Sequence, residues 1–206
     1  MGCTLTKSIN EQSCVEQNMV GGGNDFLYLG FIDKATAGGL SGFTQAAGVI
    51  SALSFTGGST GLQKYYTARD GVSTSGETQD NLAQGKPMQH SIVALMKVLA
   101  ADKLAALDEI VRNKGLVVIV PTKNRQIRVY GFFDALDTTL AISKGMQAVL
   151  AEATGALMTD EVGHTLTLSG QTIKSTYFLF ETGGTYDASI AALEAYVVDE
   201  SSSSSS

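Results

Sequence analysis

Five consecutive apolar residues, Leu116-Val117-Val118-Ile119-Val120, constrain this chain more than any other stretch. The run is too short for a helix and four of its side chains are β-branched, which predicts a strand covered on both faces. Its neighbours supply one cover. In "ADKLAALDEIVRNKG" Leu104, Leu107, Ile110 and Val111 recur at three-and-four spacing, which predicts an amphipathic helix over residues 101–114. Asp102 is placed to cap its start, Arg112 and Lys114 complement the dipole of its last turn, and Gly115 suits the left-handed stop. After the apolar run, Pro121 cannot donate to a ladder and Lys123, Asn124 and Arg125 are turn formers, so the chain reverses and returns as Ile127 to Phe133. The stretch from Ala101 to Gly131 therefore reads as a hairpin docked on a helix.

The other segments read as elements that pack on this unit. Phe26 to Ile32 is a strand pattern, followed by a loose stretch containing Gly38, Gly39 and Gly42. Val49 to Thr56 and Leu62 to Arg69 predict a hairpin around "GGSTG". From Asp70 to Pro87 there is almost no large apolar residue, which predicts a long surface loop or an arm ordered by a partner. Alternation resumes from Gln89 to Leu99, with Ile92, Ala94, Met96 and Val98 opposite Val93, Leu95 and Leu99. Beyond Phe133 two patterns compete: Leu136 to Ile142 alternates like a strand, and Met146, Val149, Leu150 and Ala153 share a helical face. His164 to Leu168 and Ile173 to Leu179 predict a second hairpin turning at Ser169-Gly170. Asp187 is placed to cap a last helix with Ile190, Leu193 and Val197 on one face. Residues 1–25 read as an N-terminal arm, 26–200 as a single domain and 201–206 as a low-complexity serine tail.

Composition narrows what such a chain does. A chain of 206 residues can bury about 70 % of its unfolded surface. The 23 glycines and 2 prolines favour strands joined by glycine turns. No stretch approaches the roughly 18 apolar residues of a membrane span, and the N-terminus lacks a secretory signal pattern, so a soluble, non-exported protein is expected. The net charge of -6 is uneven: residues 1–133 hold 12 Lys and Arg against 10 Asp and Glu, whereas residues 134–206 hold 2 against 10. That acidic C-terminal third argues against a phosphate binder or sequence reader, because it repels nucleic acid.

Catalytic and metal patterns are missing from the sequence. Cys3 and Cys14 have no further ligands nearby, and His90 and His164 both sit inside strand patterns, where a sheet-face histidine is expected. Ser169 and Gly170 lack the Gly-x-Ser-x-Gly frame, "GGSTGLQK" lacks a phosphate-loop ending, and the pairs Asp108/Glu109 and Asp160/Glu161 read as solvating charges. "MGCTLT" matches a myristoylation frame and resembles the start of heterotrimeric G-protein alpha subunits, but the phosphate loop of that family is absent.

The order of elements carries a resemblance. A strand, a long polar segment, a strand, a helix, an apolar strand, a turn and a strand ending in Tyr130-Gly131-Phe132 are followed by Gly163-x-x-Leu-x-Leu-x-Gly170. With "LDEIVRNKGLVVIVPTKNRQIRVYGF" and "GHTLTLSGQ", this resembles the tail tube (major tail) proteins of long-tailed bacteriophages, most clearly from Gln89 to Phe180. The resemblance implies a mainly β, α+β fold: an antiparallel β-sandwich or barrel of about eight strands, one flanking helix (101–114) and a long stacking loop (70–88). It implies a virion structural protein rather than an enzyme, without cofactor, metal or membrane. Its copies would form rings, expected to be hexamers, that stack into the tail tube beside other tail proteins. Genome DNA would pass through without sequence-specific binding. Assembly would take place in the host cytoplasm and the protein would reside in the virion tail. Arg69, Asp70, Lys86 and Met88 are the expected inter-ring contacts, and Asp134, Asp137, Asp160 and Glu161 the expected acidic lumen residues. The stretch 134–162 is longer and more apolar than the family pattern, and the serine tail has no counterpart in it. The alternatives are another phage structural class (capsid decoration, connector or tail terminator), forming discrete rings or trimers, and a ligand-binding β-barrel or hydrolase, requiring a monomer with a closed apolar cavity.

Overall fold

The apolar run forms a strand at the centre of the larger of two sheets. The computed structural model of the protein describes residues 23–68, 71–79, 87–96, 101–112, 115–134, 138–141, 143–153, 163–172 and 177–198. Eleven strands lie among them: β1 (Phe26–Phe31), β2 (Leu40–Ala46), β3 (Val49–Phe55), β4 (Leu62–Tyr66), β5 (Val72–Thr78), β6 (Met88–Met96), β7 (Leu116–Pro121), β8 (Ile127–Tyr130), β9 (Gln147–Ala153), β10 (Gly163–Thr172) and β11 (Phe178–Phe180). Two helices accompany them, α1 (Ala101–Arg112) and α2 (Tyr186–Glu194). One sheet has the order β2-β3-β11-β8-β7-β1-β4 and the other β5-β6-β10-β9. The fold is mainly β with a flanking helix, as expected, but with eleven strands rather than about eight.

Every residue of β7 is buried, and its alternation divides the interior in two. Leu116, Val118 and Val120 enter a core between the sheets with Leu27 and Leu29 of β1, Ile92 and Met96 of β6, and Leu166 and Leu168 of β10. Helix α1 adds Leu107 and Ile110, each 1 % exposed, to this core and lies against β9. Val117 and Ile119 face the other way, into an aromatic core in which the Phe43 and Phe132 rings stack at 4.2 Å. Helix α2 seals that core with fully buried Leu193. Burial of each such Val, Leu or Ile side chain contributes about 1.5–3 kcal/mol, so one short strand supports both halves of the interior.

Several pairings differ from the sequence expectation. Strand β3 makes its hairpin with β2 rather than β4, turning at Ala47 and Gly48, whose φ values of 52° and 86° match the twist of a two-residue hairpin. Strand β4 pairs with β1 at the far edge of the sheet. The expected loop from Asp70 to Pro87 contains β5, which pairs antiparallel with β6 from Val72↔Ala94 to Thr78↔Met88. Only Val72 of β5 is buried, so its backbone ladder, which composition does not report, makes it a strand. Residues 147–153 are strand β9 rather than a helix, because pairing with β10 sends Ala148 and Leu150 inward and leaves Val149 62 % exposed. Ser169-Gly170 is not a turn either: β10 continues to Thr172, and β11 joins the other sheet, antiparallel to β8 and parallel to β3.

Helix ends follow local chemistry. Gly115 stands just beyond the described part of α1 with φ +100°, and Arg112 pairs with Asp108 at 2.7 Å on the exposed face. The cap of α2 is Thr185, not Asp187: Thr185 Oγ1 accepts from the Ala188 N–H at 3.2 Å. Asp187 lies in the first turn and meets Arg125 at 2.9 Å. The side chain of Asp102 lies outside the described residues.

Candidate assembly surface

The two sheets treat their edges differently. On the seven-stranded sheet, β2 is partly covered where Phe43 N–H donates to the Thr138 carbonyl at 3.0 Å. At the other edge, Leu62 N–H of β4 donates to Tyr196 O and Val198 N–H to Leu62 O. On the four-stranded sheet, among the described residues, Gly23 N–H, bound to Val72 O at 3.1 Å, reaches the outer edge of β5, and Met146, directly before β9, exchanges backbone hydrogen bonds with Leu116 at 2.7 and 3.0 Å; beyond these, no backbone hydrogen bond reaches the outer edge of either strand. Proteins usually blunt such edges with lysine, proline or a covering segment. Neither strand contains lysine or proline, and each carries one charge, Glu77 on β5 and Glu152 on β9.

The outward face between these edges is almost uncharged. Its rungs, read from register, include Ser73-Val93-Thr167-Val149 and Ser75-Ser91-Ser169-Gln147. Leu95, Thr165 and Ala151 form the next rung, and Glu77 is the charge on this face. Val93 and Val149 are 36 % and 62 % exposed. A flat hydroxyl-and-valine surface can meet another copy without desolvating charge, although the chain as a whole is acidic.

One expected contact residue, Met88, and one expected lumen residue, Asp134, lie among those described. Met88 begins β6, half-buried, in register with Thr78 on β5 and Thr172 on β10. Asp134 is half-buried just beyond β8, where the preceding Phe133 N–H donates to Ser143 Oγ at 2.9 Å. Arg69, Asp70, Lys86, Asp137, Asp160 and Glu161 lie outside the described residues, as do Cys3, Cys14 and the serine tail. Met88 therefore lies at the turn end of the β5–β6 hairpin, opposite Thr78. Strand β5 was missed in the sequence because it has no apolar stripe; its sign was the β-branched sequence Val72-x-Thr74 ahead of Thr78.

The polar groups that converge elsewhere hold elements together. Tyr28 OH donates to Glu194 Oε1 at 2.7 Å and Lys64 Nζ lies 2.6 Å from the same oxygen, with the ammonium 4.5 Å from the Phe26 ring centre. Burial, then Glu194, pushes the Tyr28 hydroxyl well above its ordinary range. Burial also raises Glu194, but its bonds to Lys64 and Tyr28 outweigh this and hold the carboxyl below its usual value. This cluster fastens α2 to β1 and β4. Among the described residues no group of three or more His, Cys, Asp or Glu is arranged to hold a metal, and no helix is long and apolar enough to cross a membrane. Comparison with protein-family models, with curated proteins and with solved structures finds no match to this chain.

Proposed function

We propose that this protein is a virion structural subunit that self-assembles into stacked rings, forming a tail tube through which phage DNA is ejected. The observation that carries the reading is the pair of edge strands, β5 and β9, on opposite sides of one four-stranded sheet, whose outer backbone is largely unpaired among the described residues. Successive strands of that sheet are antiparallel, so β5 and β9 run in opposite directions. Placing β5 of one copy beside β9 of the next extends the same antiparallel ladder, and this head-to-tail contact closes into a ring when the rotation per copy allows. The resemblance of Gln89 to Phe180 to tail tube proteins supports the same assembly and suggests six copies. In this reading the stretch 70–88 is the stacking segment, and Arg69, Asp70, Lys86 and Met88 contact the neighbouring ring. The acidic Asp134, Asp137, Asp160 and Glu161 keep DNA from adhering to the channel.

Negative-stain electron microscopy of the purified chain at low and raised concentration tests this. Stacked rings or tubes with a central channel are expected. Discrete rings or trimers at every concentration point instead to another phage structural class, and uniform monomers overturn the assembly reading.

A further inference from the structure

The His90 imidazole sits in a slot shaped by glycines. His90 lies on the inner face of β6, 5 % exposed, and its cross-strand neighbours on both sides are glycines, Gly76 on β5 and Gly170 on β10. A Cβ at Gly76 would stand 3.1 Å from His90 Nδ1, and one at Gly170 would stand 3.1 Å from Met146 Cγ. A side chain at either position would crowd these neighbours, and close approach is one reason for glycine inside a strand. The opposing wall is β8, whose Tyr130 ring meets the imidazole edge-on at 5.2 Å. Among the described residues His90 Nε2 has no hydrogen-bond partner, and the adjoining cavity of ≈10 Å³ has room for about one water.

A cation already occupies this seam. Arg128 lies two residues before Tyr130 on β8; its Nη1 donates to Thr74 Oγ1 of β5 at 3.3 Å and its guanidinium stacks on Tyr177 at 4.3 Å. Its Nε is buried without a partner among the described residues. These contacts hold the β5–β6 hairpin against the larger sheet. Among the described residues, the groups around His90 are Thr74, Gly76 and Thr78 on β5, Leu168, Gly170 and Thr172 on β10, Tyr130 on β8 and Tyr177 before β11, with Arg128 reaching Thr74 and Tyr177. None is a carboxylate; Glu77 alternates to the outer face. Burial alone already moves His90 below its ordinary pKa.

We propose that this seam is an acid-sensitive latch: neutral His90 keeps the β5–β6 hairpin seated on β8, and protonation, which places a buried cation in a seam that already holds the half-buried Arg128, releases it. The latch stands independently of the tube reading, because it is a property of a single folded chain. If β5 is also the assembly edge, acid loosens assembly by the same step.

Hydrogen exchange of the dilute full-length chain between pH 7.5 and 5.0, corrected for intrinsic rates, tests this. A group whose folded pKa is depressed favours the closed state above its free pKa, and that preference fades as pH falls. Protection of the β5 amides is expected to drop up to about tenfold per pH unit below about 6.5, while β7 amides hold. His90→Phe should abolish the pH dependence and His164→Asn should preserve it. Flat β5 protection, equal loss from β5 and β7, or persistence in His90→Phe would overturn the latch. Should His90→Phe fail to fold, titration of the His90 Cε1 proton in the unaltered chain decides: a pKa at or above 6.5 overturns the proposal. Failure to form rings would leave these readouts unchanged, so the two proposals fail separately.

Discussion

At the scale of single residues, close approach and shared protons set the constraints. Gly131 has φ +106°, and a Cβ there would stand 2.5 Å from the Leu116 carbonyl oxygen, where the chain leaves β8 beside the start of β7. Gly131→Ala should therefore cost at least the 1–3 kcal/mol or so of a strained backbone conformation, read as a lower denaturant midpoint at unchanged slope. Tyr28→Phe removes one of the two groups bound to Glu194 Oε1 and leaves Lys64 in place. A loss of about 1 kcal/mol is expected. Glu194, held below its ordinary pKa, contributes stability that is present above pH 4.5 and lost as pH falls through its folded pKa. The acid limb of a stability-against-pH curve should flatten in Glu194→Gln.

At the scale of elements, position within the sheets outweighs composition. Ile119→Ala on β7 leaves a hole beside the aromatic core and is expected to cost about 2–5 kcal/mol. Val149→Ala on β9, where the side chain is 62 % exposed, should change stability by no more than about 0.5 kcal/mol. Chemical denaturation of both variants separates the two environments. Helix α2 offers a sharper contrast, because its cap and its first-turn carboxylate are different residues. Thr185→Ala removes the side chain that accepts from Ala188 N–H and should cost about 1 kcal/mol. Asp187→Ala breaks an ion pair to Arg125 whose side chains are 82 % and 66 % exposed, and should be nearly neutral.

At the scale of the whole molecule, among the described residues the edges of the four-stranded sheet are less covered than those of the seven-stranded one, and assembly is expected there. Val149→Lys adds a charge to an exposed position beside the free edge without disturbing the core. It is expected to leave the chain folded by circular dichroism and to shift it toward monomer in light scattering at concentrations where the unaltered protein associates. Unchanged association would move the interface away from β9. The Phe26 strand, α1, β7 and β8 were legible in the sequence because each has an apolar face of its own with a clear period. β5 and β9 were not. One has too few apolar residues to show a period, and the other has apolar residues that fit a helix as readily as a strand.

By itself the sequence determined the mainly β class, the doubly buried central strand, the helix that precedes it and the glycine that follows that helix. These depend on side-chain periodicity and terminal chemistry within a few residues of chain. Tertiary structure alone decided which strands are neighbours. Two candidate hairpins were broken because β4 found β1 and β11 found β8 and β3, each pairing partners distant along the chain. Backbone ladders are nearly blind to side-chain identity, so partner choice rests on how the two cores close around β7. The slot at His90 is decided the same way: Gly76, His90 and Gly170 are far apart in sequence, and only the register of β5, β6 and β10 sets them in one row.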